Sequence, residues 1–227
     1  MKNLVIVESG AKATKITEYL DKNFPEQQWE VAACLGHIRD LPDDESAVNP
    51  ENWVDLSWEE TQKGKKTIRE LRKICKTINT IYLATDPDRE GEAIAWHLLS
   101  DFSEKKLLKD KEVKRITFTE ITSSAIKQAI NSPREIDQDL VDAYLARRIL
   151  DHLIGFKVAP LVWRHAPPAK SAGRVQSVSV RLIVEKEREI KNFQTNSTYK
   201  SIGTFKNSSG VNLKAELNNK FDSAEEV

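Results

Sequence analysis

Residues 80–100, TIYLATDPDREGEAIAWHLLS, set a strand, an acidic loop and a helix in immediate succession, and no other stretch constrains the chain as strongly. Thr80 to Ala84 is a β-branched and aromatic run that suits a buried strand ending near Thr85. Just beyond it, Asp86, Asp88, Glu90 and Glu92 put four carboxylates within seven residues where the backbone leaves the sheet. Carboxylates this close raise one another's pKa unless a cation offsets them, and hard oxygen donors suit Mg²⁺, which keeps several waters and takes one or two carboxylates. Asp86 and Asp88 are therefore the candidate metal ligands. The same residues also allow a solvated acidic turn at a helix N-terminus, where acidic side chains are favourable in any case.

The remaining pattern supplies a sheet for that loop to leave. Leu4 to Val7 is a continuous aliphatic run, as expected of a strand covered on both faces, and Glu8 follows at its end. Ser9 and Gly10 open a helix over Ala11 to Leu20, with Ile16, Tyr19 and Leu20 at helical spacing. Free N–H groups at such a helix start, with Lys12 nearby, suit an anion such as phosphate. A further strand is expected over residues 29–34, followed by the loop GHIRDLP and an irregular acidic, Trp-containing segment over 43–60. Helices are expected over 65–76 and 119–130, and a strand over 113–118. Strands alternating with helices imply an α/β domain with a mostly parallel, helix-covered sheet over residues 1–120. A carboxylate at the end of one strand and Asp-Pro-Asp at the end of another are what a crevice at the top of such a sheet requires.

From Asp137 the pattern is helical, and Arg147 and Arg148 lie three or four residues from Asp151, close enough for both to pair with it on one face. Pro160, Pro167 and Pro168 interrupt the next stretch. Ser171, Ala172 and Gly173 then lead into a long helix through Phe193, with Val175, Val178, Leu182 and Ile183 as its apolar positions. From Thr198 two alternating runs separated by Ser-Ser-Gly read as strands.

Composition bounds the function. Formal net charge is zero with 31% charged residues, so any nucleic-acid site must be a local basic patch. No apolar run approaches the ~20 residues of a membrane span, and the N-terminus enters a strand directly without a signal-peptide layout. A cytoplasmic protein is expected. Cys34 and Cys75 stand alone, without a metal-ligand or redox spacing, and read as small buried hydrophobes in a reducing compartment.

Taken together, Glu8, DPDREGE, GHIRDLP and SAGRVQS closely resemble the N-terminal part of bacterial type IA DNA topoisomerases, over nearly the whole chain. The resemblance implies a Toprim domain, a Rossmann-like sheet covered by helices, over residues 1–120. It implies a mainly α-helical single-strand-binding region beginning over 133–197 and the start of a β-rich gate segment over 198–227. It also implies roles at matching positions. Glu8 exchanges a proton with the 3′ oxygen of the broken strand and lies among the metal-binding carboxylates. Asp86 and Asp88 hold Mg²⁺ with Glu90 as an auxiliary ligand, Lys12 stabilises charge on the phosphate, and Arg89 offsets the acidic loop or meets the DNA backbone. His37, Arg147, Arg148, Asp151, Phe156 and Trp163 line a DNA groove. Ser171, Ala172, Gly173, Arg174, Val175 and Gln176 form a helix start that touches the strand. Arginines facing phosphates and rings stacking on bases suit single-stranded DNA.

Two departures stand out. Such enzymes commonly carry Pro after the Glu-Ser pair, where this chain has Gly10. They also break DNA with a tyrosine in a Tyr-x-Arg-Thr setting, and none of Tyr19, Tyr82, Tyr144 and Tyr199 has that setting. The resemblance thus implies a fragment holding the metal and acid–base half of an ATP-independent, monomeric enzyme that relaxes negatively supercoiled DNA, without its nucleophile. Nothing in the chain resembles an ATP-binding P-loop. A Toprim nuclease or primase would share the glutamate and the Asp-x-Asp but has no reason to carry SAGRVQS. A non-catalytic DNA-binding module with a degenerate acidic loop is the third possibility.

Overall fold

The aliphatic run at the N-terminus is β1 (Lys2–Val7), buried from Asn3 onward, and it leads through Glu8 and Ser9 into α1 (Gly10–Asn23). The structure, a computed structural model, describes residues 2–49, 51–52, 56–166, 168–169, 171–223 and 225. Pro167, expected to interrupt the chain, lies outside them. β2 (Gln28–Ala33) pairs parallel with β1, and the GHIRDLP segment contains a short strand, β3 (Arg39–Asp40), antiparallel to β4 (Glu59–Glu60). α2 (Gly64–Cys75), β5 (Thr80–Leu83), α3 (Arg89–Glu104), β6 (Glu112–Arg115) and α4 (Ser123–Asn131) follow in alternation.

Four of these strands form one parallel sheet in the order β2-β1-β5-β6. Successive side chains of a strand point to opposite faces, so the continuous apolar runs feed two cores. Leu4, Ile6, Ile81 and Leu83 face Ile68, Leu71, Ile94, Leu98 and Phe102 of α2 and α3. Val5, Val7, Tyr82 and Ala84 face Ile16, Leu20, Ile126 and Ala129 of α1 and α4. Cys34 and Cys75 are free and buried. β6 ends earlier than the expected 113–118, because β5 ends at Leu83 and leaves no ladder for residues beyond Ile116. α4 likewise starts late, at Ser123, where the Thr122 hydroxyl caps the Ala125 N–H.

α5 (Gln138–Leu153), capped by Asp137, runs on through one turn of π-helix over Ile154–Val158 into α6 (Ala159–His165). Pro160 thus lies within a continuous helical run, in the first turn of α6 directly after the π-helical turn, and does not break it. The chain divides into two compact units, Met1–Arg174 and Val175–Val227. The second contains α7 (Arg174–Asn192) apart from its first residue, and an antiparallel hairpin of β7 (Tyr199–Lys206) and β8 (Asn212–Phe221). Asn207 accepts from the Ser209 and Val211 N–H groups to close the hairpin turn, with Gly210 at φ +82°. Val175, Val178, Leu182 and Ile183, the expected apolar face of α7, are all exposed. Among the described residues no helix is long and apolar enough to cross a membrane.

Candidate functional site

Strand order reverses beside β1: the chain passes from β1 to β2 on one side and later returns to place β5 on the other. In an open parallel sheet a crevice forms outside the carboxyl ends of the strands at such a switch point. Glu8 leaves the end of β1 there, and Asp86 lies just past the end of β5. Lys12, in the first turn of α1, reaches across so that its Nζ lies 2.5 Å from Asp86 Oδ1. Burial and the negative charges of Asp86 and Asp88 raise the Glu8 carboxyl above its usual pKa, against the opposing effect of Lys12. A carboxyl shifted in this direction keeps its proton more readily than a free glutamate, the property a general acid needs. Lys12, Asp86, Asp88, Phe118, Thr119 and Glu120 share a cleft of about 400 Å³.

Asp88 caps α3, its Oδ1 accepting from the Gly91 N–H at 2.8 Å. Arg89 and Glu90 are exposed in the first turn beyond it. Glu92 differs from the other three acidic residues of the loop. It is fully buried, paired with Arg115 at 2.8 Å and Arg134 at 2.8 Å, and it accepts from the Asp137 N–H at 3.0 Å. Burial opposes its charge, yet hydrogen bonds from Arg115, Arg134 and the Asp137 backbone hold its carboxyl down at about 2. The crowding that makes DPDREGE look like a metal site is therefore partly structural. Its folded pKa is depressed, so the stability it contributes is complete above the ordinary value of 4.5 and is lost as pH falls toward 2. Urea midpoints are expected to begin falling below about pH 6.5, where buried His37 and His97 are held below their usual pKa, and to fall more steeply below about 4.5, where Glu92 adds its share. Glu92→Gln should lose much of that slope; an unchanged slope would remove Glu92 from the acid transition.

Arg115 also locks the loop backbone. Its guanidinium donates to the carbonyls of Leu83, Thr85 and Ile116 at 3.0, 2.8 and 2.6 Å and to the Asp86 carbonyl at 2.8 Å. The Thr85 hydroxyl donates to the Gly91 carbonyl at 2.6 Å, tying the end of the strand to the start of α3. Neither Arg115 nor Arg134 stands out in the sequence. β6 is Glu-Val-Lys-Arg, so a further charge at Arg115 gives no local signal.

A second group forms where α5 packs on α3. His37, Asp40, Glu90, Tyr144, Arg147, Arg148 and Asp151 line a cleft of about 200 Å³. The pairing differs from the helix-face expectation. Arg148 Nε bonds Asp40 Oδ1 at 2.6 Å, while Arg147 bridges to Glu90 at 3.1 Å and lies 3.8 Å from Asp151. Arg174 Nε supplies the closer partner of Asp151, at 3.0 Å. Sequence spacing could not show that β3 brings Asp40 against the arginine, because the two are 108 residues apart. Arg39, next to Asp40, is anchored by Asp101 at 3.1 Å and Glu104 at 2.6 Å, and Arg72 joins the same Asp101 at 2.5 Å. Half-buried Phe156 stacks on His152, ring centroids 4.5 Å apart, whereas Trp163 is 51% exposed on α6. Ser171 is exposed and Ala172, Gly173 and Arg174 are partly buried in the first unit; Val175 and Gln176 are exposed in the second. Tyr82 and Tyr144 are buried, Tyr19 packs against the core and Tyr199 opens β7.

The Toprim domain family matches residues 3–121, and the DNA topoisomerase family matches residues 135–227. A DNA topoisomerase 1 of Xylella fastidiosa is 52% identical over 194 residues, covering 86% of this chain and 23% of that protein. One of Zymomonas mobilis is 48% identical over 191 residues, 84% of this chain and 15% of that protein. The chain thus spans less than a quarter of the length of these relatives. Full-length topoisomerase I of Thermotoga maritima superposes with a TM-score of 0.73 at 37% identity, over 98% of this chain and 36% of that one. Toprim domains bind divalent metal ions. Among the described residues no three His, Cys, Asp or Glu side chains stand close enough to hold one, and Lys12 occupies one oxygen of Asp86. The donor set nonetheless fits a hard cation: Glu8, Asp86 and Asp88 are all carboxylates, crowded enough to raise the pKa of Glu8. With a Toprim domain followed by the start of a topoisomerase domain, the chain belongs to the bacterial type IA DNA topoisomerase family and corresponds to its N-terminal part.

Proposed function

We propose that this chain supplies the metal-binding and acid–base half, and part of the strand-binding groove, of a monomeric, ATP-independent topoisomerase. That enzyme relaxes negatively supercoiled DNA by transient single-strand cleavage and resealing. The observation that carries this is the convergence of Glu8, Lys12 and Asp86 at the switch point of the parallel sheet. Residues 1–120 provide the reacting groups, 133–197 begin the single-strand-binding region, and 198–227 begin the gate segment, of which residues 224, 226 and 227 lie outside those described.

Asp86 and Asp88 would hold Mg²⁺, with Glu8 and Glu90 as further oxygen donors; bound there, the ion would neutralise charge on the scissile phosphate. Glu8, with its raised pKa, donates a proton to the leaving 3′ oxygen and takes it back on resealing. Lys12 exchanges its contact with Asp86 for the phosphate and offsets the charge that develops there. Arg89, exposed beside the loop, meets the neighbouring backbone. None of the four tyrosines sits in the setting of a nucleophile, and we assign that residue to a part of the enzyme outside these residues.

His37, Arg147, Arg148 and Asp151 line the strand-binding cleft, with Phe156 and Trp163 as ring platforms and Ser171 to Gln176 as the helix start that meets the backbone. Fluorescence anisotropy with a labelled single-stranded oligonucleotide tests this. Binding should weaken with rising salt, and Arg147→Ala with Arg148→Ala should weaken it at least tenfold and flatten the salt dependence. Equal binding by the variant would remove this cleft from the DNA path.

A further inference from the structure

His37 sits at an unusual place on the backbone. Leu35 and Gly36 before it adopt left-handed conformations, φ +59° and +92°, and left-handed backbone at a non-glycine residue is a strain that folded structures retain at functional positions. Beyond it, Arg39 and Asp40 are anchored by the ion pairs to α3 and α5. The ring of His37 stacks on that of Tyr144, centroids 5.2 Å apart and planes at 20°, with Nδ1 3.3 Å from the Tyr144 hydroxyl. Tyr144 is 7% exposed, and its ring stands edge-on to fully buried His97 at 6.4 Å. His97 is itself wedged against Trp58 and Trp96 at 4.6 and 4.8 Å. Four aromatic side chains therefore back the loop histidine from the inside of the unit.

A phenol is a strong donor and a poor acceptor, while the imidazole lone pair is a good acceptor, so the favoured sense of this contact is Oη–H to Nδ1. A neutral imidazole that accepts at Nδ1 carries its proton at Nε2. We propose that Tyr144 is a positioning residue: it occupies Nδ1 of His37 and thereby presents the histidine's Nε2–H as a donor to a phosphate oxygen of a DNA strand lying in the cleft of Arg147 and Arg148. This rests on the strand-binding role proposed for that cleft. The other outcome of the same contact, Nδ1–H donating to the phenol, would turn a lone pair toward the phosphate and repel it.

Nitrogen-15 NMR of the histidine-labelled chain, without DNA, reads the tautomer directly. The expected signature is Nε2–H for His37, shifting to a mixture of tautomers in Tyr144→Phe, which keeps the ring stack and removes the donor. A purely structural role for Tyr144 would leave that signature unmoved. With a single-stranded oligonucleotide, Tyr144→Phe should weaken binding about three- to tenfold, the range of one hydrogen bond. His37→Ala should match that loss, and the double variant should add little to it. An Nδ1–H tautomer in the unmodified chain overturns the proposal and leaves the cleft assignment standing. Binding that falls with Arg147→Ala but not with Tyr144→Phe overturns it alone; binding indifferent to Arg147→Ala overturns both.

Discussion

Arg115→Ala is expected to destabilise the first unit by about 3–5 kcal/mol, the cost of removing one partner from a buried, hydrogen-bonded ion pair. The residue is 2% exposed, and its loss would leave Glu92 with Arg134 and the Asp137 N–H as remaining partners. It would also strip the donor from the carbonyls of Leu83, Thr85, Asp86 and Ile116, groups that lie at the end of β5 and in the acidic loop. With a urea dependence of about 1–3 kcal/mol per molar, the midpoint should fall by one molar or more. Arg115→Lys restores the charge but not the planar fork, and should recover only part of the loss. A midpoint within a few tenths of a molar of the unmodified chain would mean that Arg115 is not the residue holding the loop.

Gly91→Ala should produce the next largest effect through a different cause. A Cβ at Gly91 would lie 2.2 Å from the Asp86 carbonyl oxygen and 2.7 Å from its nitrogen. Both are backbone atoms, so no side chain can swing aside, and the clash must move either α3 or the loop. Overpacking of this kind costs ~1–3 kcal/mol, and a backbone contact places the change at the upper end of that range or beyond. Because the displaced residue is Asp86, the proposed metal ligand, metal-dependent functions should suffer more than stability. In the parent enzyme, resealing of cleaved DNA should fail under conditions where the variant is still folded by circular dichroism. Full resealing in a folded Gly91→Ala enzyme would dissociate the geometry of Asp86 from the chemistry.

The sheet was largely legible because its central strands are short continuous apolar runs, buried on both faces, as at Leu4 to Val7 and Thr80 to Ala84. The approach of Glu8, Lys12 and Asp86 followed from strand order, which alternation of strand and helix implies only in outline. Long-range polar partners were not legible. Asp40 meets Arg148 across 108 positions, and Glu92 meets Arg115 across 23, through folding that no local spacing encodes. In DPDREGE the spacing points to Asp86 and Asp88 as ligands but gives Glu92 no role, although Glu92 is a buried anchor; a loop sequence does not say which of its residues turn inward. Pro160 misled for a related reason, since the π-helical turn before it, which lets the helix carry on past a proline, leaves no local mark in the sequence.

Incubation of the purified chain with end-labelled single-stranded DNA and Mg²⁺, resolved on a denaturing gel, tests the central claim most directly. Binding without cutting is the predicted result, because the proposed roles of Glu8, Lys12 and the acidic loop are to exchange protons and offset charge, not to act as nucleophile. Metal-dependent cutting that vanishes in Asp86→Ala would contradict it, and would make this acidic loop a nuclease site complete in itself.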